Sequence, residues 1–598
     1  MAAPRATERP SRRRPGAAAR AAPRAGWTSV ALAAALVALV IAAYGNGLGG
    51  PFIWDDVPAI PDNARIRALG WAALGGTSRP LVQLSFALNH ALGGLGMGGY
   101  HAFNVAVHAL AALVLFALAA RTLALPRLAP RFGGRASWLA AGIAALWAAH
   151  PLQTEAVTYV VQRAESMASL FYLLLLYALA RGADSAHPWR WHAAAVASMV
   201  LGMASKPVMA TAPLVALLYD RCFLAGSFRA ALARRRGLYL ALAAALAVLP
   251  VALALGPRDW QVSTGFALRG LTPGGYALTQ LAVVPHYLGL ALWPASLVLD
   301  YAWPTARGFP DVAPGALVLL PLLLLTLIGL ARNHPLGLLG AWLFVILAPT
   351  SSVFPIADAA FEHRLYLPLA APAALAVVGL AAALDRVPVR ARPAARAVAV
   401  ALVLVAVAAL AHGTRRRNED YASAPAIWSD TVAKNPVNPR ARVQLGQALA
   451  AEGRADEAIA QFETAVRLNP GYGRAVGSLT HALDAAGRLA PGEAARGYAR
   501  ALELDPDQDW ARADLGLARL REGRPAEAES AFAGLLRARP DFAYAHYGMG
   551  VALAVEGRRQ EGRRHIARAL ELDPGNEAAR RALAWVDSLL TAAGGPPR

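Results

Sequence analysis

The feature that most limits what this chain can fold into is a succession of apolar runs broken by short loops in which arginine recurs. About 20 apolar residues cross the hydrocarbon core of a bilayer as a helix. Candidate spans fall at 27–44, 101–121, 137–150, 165–180, 191–204, 207–219, 237–255, 314–331, 336–349, 365–384 and 394–412. Only 16% of the 598 residues are charged, against roughly 25% in a soluble domain. The chain therefore reads as an all-α polytopic membrane helix bundle. Much of its net charge of +20 is arginine in the loops, a topology signal rather than a nucleic-acid footprint, so no nucleic-acid partner is expected. The one cysteine, Cys222, excludes an internal disulfide and a cysteine-built zinc cluster.

Residues 1–26, with Arg12-Arg13-Arg14, read as a disordered basic cytoplasmic tail. Trp27 to Tyr44 is long for a signal peptide and lacks a small-residue cleavage site, so it reads as the first membrane helix. Arg121, Arg127, Arg131 and Arg135, then Arg181 and Arg190, then Arg221, Arg229 and Arg234 to Arg236 fall in alternate loops. Arginine in short loops marks the cytoplasmic side. The opposite loops hold Asp55, Asp56 and Asp62, then Glu155, Arg163 and Glu165. The run Tyr276 to Leu299 contains Pro285, His286 and Pro294, which suits an interfacial or broken segment. If it does not cross, Arg386, Arg390, Arg392 and Arg396 stay cytoplasmic, and eleven spans put the N-terminus inside and the C-terminus outside. If it crosses, twelve spans put the C-terminal domain in the cytoplasm. A composition dominated by Ala and Arg is that of a high-GC bacterium, so the expected location is the bacterial inner membrane.

The membrane part is expected over 27–412, a short linker over 413–424, a second domain over 425–590 and a disordered tail over 591–598. In the second domain Pro436, Pro470, Pro506, Pro540 and Pro574 recur at intervals of 34, 36, 34 and 34 residues. That period is the tetratricopeptide signature, an α-solenoid of helix pairs. Leu445-Gly446, Ala458, Phe462 and Ala465 fit one repeat, Leu515-Gly516, Ala528 and Phe532 another, and Gly550 and Ala569 a third. The repeat between Pro470 and Pro506 is degenerate, Trp428 marks half a repeat, and Glu577 to Leu590 reads as a capping helix.

Chemistry is expected at the outer ends of the spans, where polar groups are expensive unless used. Asp55 and Asp56 follow Phe52-Ile53-Trp54 in the first outer loop, and an adjacent pair of carboxylates suits a general base. Of the two, Asp56 is favoured as the base. The competing reading is a solvated turn between Pro51 and Pro58. Arg364, Lys206 and Arg79 are placed to meet a lipid phosphate, as forks or as a point charge; the competing reading of each is an interfacial anchor. His101, Asn104, His150, Glu155, Arg163, Glu165, Glu362 and His363 form an expected supporting polar shell. His101, Asn104 and His108 share one helix stripe and read as hydrogen-bonding groups rather than metal ligands. No metal site is expected.

The segments NGLGGPFIWDDVPAI, SRPLVQLSFALN, GYHAFNVAVH, HPLQTEAVTYVVQRAE, LWPASLVLDYAWP and FEHRLYLPL occur in this order ahead of the repeats. In that order they resemble the transmembrane, tetratricopeptide-repeat-containing O-mannosyltransferases and their bacterial relatives. The resemblance implies the GT-C glycosyltransferase architecture, with an extracytoplasmic site and inversion at the anomeric carbon. It implies Asp55 or Asp56 as the acidic residue of the first outer loop, and Ser or Thr of proteins as acceptor. The donor implied for a bacterial relative is a polyprenyl-phosphate-linked sugar, mannose or a similar hexose; no other cofactor is implied. One departure is Lys206-Pro207, where the family is expected to carry Lys-Glu. Two other readings stand beside the transferase: a non-catalytic membrane-anchored repeat scaffold for envelope assembly, and a GT-C enzyme with a glycan or lipid acceptor.

Overall fold

The structure, a computed structural model, describes residues 26–70, 74–255, 265, 271–490 and 492–593. The expected basic tail lies outside the described residues but for Gly26. Among the described residues, six helices are long and apolar enough to cross a membrane: Trp27–Gly47, Met97–Leu123, Val160–Gly182, Pro207–Ala225, Phe309–Ala331 and Val389–Asp420. Pro335–Leu347 and Ala370–Leu384 are shorter apolar helices. The bundle elements that position the site are α1 (Trp27–Tyr44), α2 (Pro80–Gly93), α3 (Met97–Leu123), α4 (Ala136–Ala148), α5 (Arg163–Gly182), α6 (Pro188–Met203), α7 (Ala212–Tyr219), α8 (Phe228–Ala245), α9 (Pro273–Leu292), α10 (Phe309–Ala331), α11 (Pro335–Leu347), α12 (Ala370–Leu384) and α13 (Arg392–Asp420). Leu317 and Leu325 on α10 and Leu404 and Val405 on α13 are exposed. A lipid-facing helix can show such side chains because its backbone is satisfied internally.

Hydrogen bonds and ion pairs sort the bundle into two ends. At one, Arg121 pairs with Asp184, Arg131 and Arg135 reach Asp385 at 2.8 and 3.1 Å, and Arg221 donates to the Leu330 carbonyl at 2.6 Å. At the other, Thr158 donates to Asn418 at 2.7 Å, Asn418 to the Ala43 carbonyl at 3.0 Å, and the Leu81 N–H to the Ala204 carbonyl at 3.1 Å. Helix α9 does not join the two ends. Tyr276 near its start donates to the Thr350 carbonyl, and Ala291 near its finish is bonded by His150, both at the second end. Asp385, between α12 and α13, stays with the arginine-rich end, as expected if the 276–299 segment is not a span.

The repeats follow as a single helix α14 (Ala424–Lys434), then the pairs α15 (Pro439–Ala451) and α16 (Ala455–Leu468), α17 (Gly473–Ala485) and α18 (Glu493–Leu504), α19 (Asp509–Arg521) and α20 (Pro525–Ala538), α21 (Ala543–Val555) and α22 (Arg559–Leu572), closed by α23 (Glu577–Ala593). A side chain at Gly446 would run into the Phe462 ring, and one at Gly516 into Phe532; this close approach is why the period carries glycine. In the degenerate repeat Thr480 takes the glycine position and packs on Gly497 of the partner helix, so the small residue has changed sides. Of the tail expected over 591–598, the first three residues belong to α23, which continues to Ala593, and the rest lies outside the described residues.

The linker expected at 413–424 is not a tether. Helix α13 runs unbroken to Asp420, with Thr414, Arg417 and Asn418 buried against the bundle, and Ser423 caps α14 by accepting from the Ala426 N–H. The run Arg415 to Asp420 contains no Gly or Pro, so nothing ends the helix where it leaves the apolar region. The first repeat also shares a core with the bundle: Ile53, Tyr159 and Leu299 pack with Ile427, Trp428, Leu445 and Phe462. Lys434 donates to the Leu297 carbonyl, Asn435 to that of Tyr301 and Asn438 to that of Asp300, at 2.9, 2.9 and 3.1 Å.

Candidate functional site

The two adjacent aspartates have opposite fates. Asp56 is fully buried and opens a short helical turn. Its Oδ2 accepts from the Ile53 N–H at 3.2 Å and its Oδ1 from the Val161 N–H at 2.6 Å, which ties the first outer loop to the start of α5. Burial raises its carboxyl to about 7 in spite of those bonds. Asp55 is exposed, and its backbone N–H donates to the Tyr159 hydroxyl at 2.9 Å. Desolvation by the surrounding loops raises its carboxyl, opposed by Tyr159 and by the charges of Arg79 and Arg440. The oxygens of Asp56, the carboxylate favoured from the sequence as base, are thus spent on backbone donors, and Asp55 is the exposed one of the two. Trp54, one residue earlier, sits at φ 46°, a left-handed conformation that a tryptophan adopts only when its surroundings hold it.

The three expected phosphate ligands separate in the same way. Arg364 is buried, and its donors go to the carbonyls of Ala359 (2.7 Å), Asp358 (2.6 Å) and Thr350 (3.1 Å) and to the Tyr276 hydroxyl. It staples the loop before α12, so the donors expected for a lipid phosphate are occupied by protein acceptors. Lys206 pairs with Glu165 at 2.6 Å, the two side chains 11% and 4% exposed. Arg79 is half-buried and feels the charges of Glu165 and Asp55; among the described residues its guanidinium has no hydrogen-bond or ion-pair partner, so it alone is free to take a ligand.

The expected polar shell gathers at this same end. Glu155 accepts from the His363 N–H at 2.7 Å and lies 2.8 Å from its Nδ1, holding both backbone and ring. Burial pushes the Glu155 carboxyl up and the His363 imidazole down. Glu362 accepts from the Val298 N–H at 2.6 Å and the Tyr301 hydroxyl at 3.0 Å. His101 bonds the Gly50 carbonyl and His150 the Leu152 N–H and Ala291 carbonyl. Arg163, fully buried, donates to Asn104, Asn89, Ser85 and the Tyr100 carbonyl and lies between the Phe86 and Phe103 rings at 4.6 and 4.5 Å. These neutral acceptors and ring faces satisfy a cation that makes no ion pair among the described residues. Arg163 and Asn104 thus fasten α2 and α3 to α5 and support the site from below. Sequence reasoning passed over Tyr159, Asp300, Asp358 and Arg440. Tyr159 and Asp300 lie inside the quoted motifs, but nothing in their spacing singled them out.

Taken together, this is a membrane helix bundle joined by a continuous helix and a shared core to a tetratricopeptide solenoid, with an exposed carboxylate and an arginine that, among the described residues, has no side-chain partner. The tetratricopeptide repeat model matches residues 414–473 and 513–577, on either side of the degenerate repeat. The chain is similar to the mouse protein O-mannosyl-transferase TMTC1, 35% identical over 179 residues, which are 27% of this chain and 18% of that one. It is 39% identical to Drosophila melanogaster Tmtc1 over 153 residues, 23% of this chain and 16% of that one. With Drosophila melanogaster Tmtc2 it shares 32% over 205 residues, 30% and 21% of the two chains. The matches span about a fifth of the length of these curated relatives. Among solved structures it is similar to YrrB, a TPR protein with an unusual peptide-binding site, at 25% identity over 26% of this chain and 80% of that one, with a TM-score of 0.23. Over about a quarter of its length the chain is thus similar to protein O-mannosyl-transferases, the family that its ordered motifs resemble.

Proposed function

We propose that the chain is a membrane glycosyltransferase that moves a hexose, mannose or a similar sugar, from a polyprenyl-phosphate donor to hydroxyl groups of extracytoplasmic proteins. The arginine-rich end faces the cytoplasm by the positive-inside rule, which puts Asp55 and the repeats on the outer face of a bacterial inner membrane. The observation that carries the reading is the accessible Asp55 carboxylate on a loop anchored by its buried neighbour, beside the unpartnered Arg79. Asp55 takes the proton of a Ser or Thr hydroxyl as that oxygen attacks the anomeric carbon. The bond from that carbon to the phosphate oxygen breaks, the configuration inverts, and the polyprenyl phosphate leaves with its charge held by Arg79. Lys206 and Arg364 act at a distance, through Glu165 and the loop carbonyls. The repeats hold the protein acceptor close to Asp55.

The test is glycoproteomics of the envelope fraction in a strain lacking the gene, complemented by the wild type or by Asp55→Asn. Hexose-bearing peptides restored by the wild type alone support the reading. An envelope glycoproteome unchanged by the deletion sinks it and leaves the repeat scaffold.

A further inference from the structure

The first repeat reaches back into the site through Arg440, on α15. Its Nε donates to Asp300 Oδ2 at 2.6 Å, and its Nη2 bridges Asp300 and Asp358. The same guanidinium lies 5.5 Å from the centre of the Trp54 ring. Asp300 is fully buried in the segment between α9 and α10, Asp358 lies in the loop stapled by Arg364, and Trp54 precedes Asp55. One side chain of the repeats therefore holds the three loops that surround the candidate base. Trp54 is further wedged against Trp428 of α14 at 5.4 Å and Phe361 at 6.3 Å, which keeps its left-handed backbone in place.

The residue type matches the task. A planar fork can bond two carboxylates and stack on a ring at once, which an ammonium cannot do. Its single positive charge also offsets part of that of Asp300 and Asp358, and Asp358 acts on Asp55. We propose that Arg440 is a positioning residue of the site, so that the repeat domain completes the catalytic loop in addition to presenting an acceptor. This rests on the transferase reading for its kinetic consequence, whereas its structural consequence stands without it.

The test uses the full chain in lipid nanodiscs, as wild type, Arg440→Gln, Arg440→Lys and Asp358→Asn. Hydrogen exchange in Arg440→Gln should quicken by about tenfold or more over 52–60, 296–302 and 355–362. It should stay unchanged over α19 to α22. Arg440→Lys should fall between, and Asp358→Asn, which leaves the Asp300 fork, should loosen 355–362 most. With a short-chain mannosyl-phosphoryl polyprenol and a Ser/Thr peptide, Arg440→Gln should lower kcat by about ten- to a hundredfold with the donor KM little changed, and Arg440→Lys should rescue part. Wild-type exchange at 52–60 in both Arg440→Gln and Asp358→Asn overturns the proposal, as does a change confined to donor KM. If the wild type transfers no sugar but the exchange pattern appears, the positioning role is supported and the transferase reading fails.

Discussion

Lys206→Met separates a structural cation from a substrate-binding one. Lys206 and Glu165 meet at 2.6 Å with side chains 11% and 4% exposed. Removing one partner of a buried pair leaves the other charge without compensation, at a cost of about 3–5 kcal/mol. Arg79 still feels the charge of Glu165, which puts the expected loss near the lower figure, about 3 kcal/mol. At roughly 2–4 °C per kcal/mol for a large domain, Tm should fall on the order of 10 °C. Replacing both members by apolar groups of similar volume is often neutral, so Lys206→Met with Glu165→Leu should recover most of the lost Tm. Because the pair serves the fold, the double variant should also keep kcat/KM for transfer within about fivefold, or 1 kcal/mol. The assay is thermal unfolding in detergent followed by transfer from a lipid-linked sugar. A double variant with wild-type Tm and no transfer would refute the reasoning, because Lys206 would then be gripping the donor.

Three further outcomes follow from the same geometry. Arg163→Ala orphans the acceptors on Asn104, Asn89 and Ser85; at about 1–3 kcal/mol for each unsatisfied buried group it should abolish accumulation of folded protein, checked by monodispersity on size exclusion. Arg79→Ala should raise the donor KM about ten- to a hundredfold, the worth of a charge-assisted bond of about 1.5–3 kcal/mol, whereas Arg364→Ala should lower Tm and leave donor KM near wild type. Since desolvation by the surrounding loops raises the exposed Asp55 carboxyl and the base must be ionised, kcat/KM should climb with pH on a limb above the usual carboxylate value of about 4, and Asp55→Asn should have no such limb.

The apolar helices and the repeats were legible because hydropathy and period are properties of single segments, although six described helices, not the eleven expected, are long and apolar enough to cross a membrane. So was the neighbourhood of the site: His101, Asn104, His150, Glu155, Glu165, Lys206, Glu362 and His363 come from distant motifs and meet at one end. The division of labour among them was not legible. Asp55 and Asp56 are the same residue type in adjacent positions, and what parts them is the Val161 N–H, 105 residues away in sequence. Arg364 reads as a free cation because a sequence displays donors, whereas the carbonyls of Thr350, Asp358 and Ala359 that occupy it carry no residue identity. The junction was misjudged for a related reason. Arg415 to Asp420 is polar, as linkers are, but polarity does not end a helix, and the burial of Thr414 and Asn418 depends on α1 and the loop before α5. Arg440 belongs to a repeat whose periodic positions explain packing within the solenoid, so its reach to Asp300 and Asp358 is visible only once both domains are placed.

The most direct measurement is single-turnover transfer by the purified full chain in nanodiscs, from radiolabelled mannosyl-phosphoryl polyprenol to a protein acceptor, comparing wild type, Asp55→Asn and Asp56→Asn. The account predicts that Asp55→Asn loses roughly two to four decades in rate, the worth of a general base, with hydrogen exchange over 52–60 at the wild-type level. It predicts that Asp56→Asn quickens exchange over that loop as well as slowing transfer. Wild-type transfer by Asp55→Asn would contradict it.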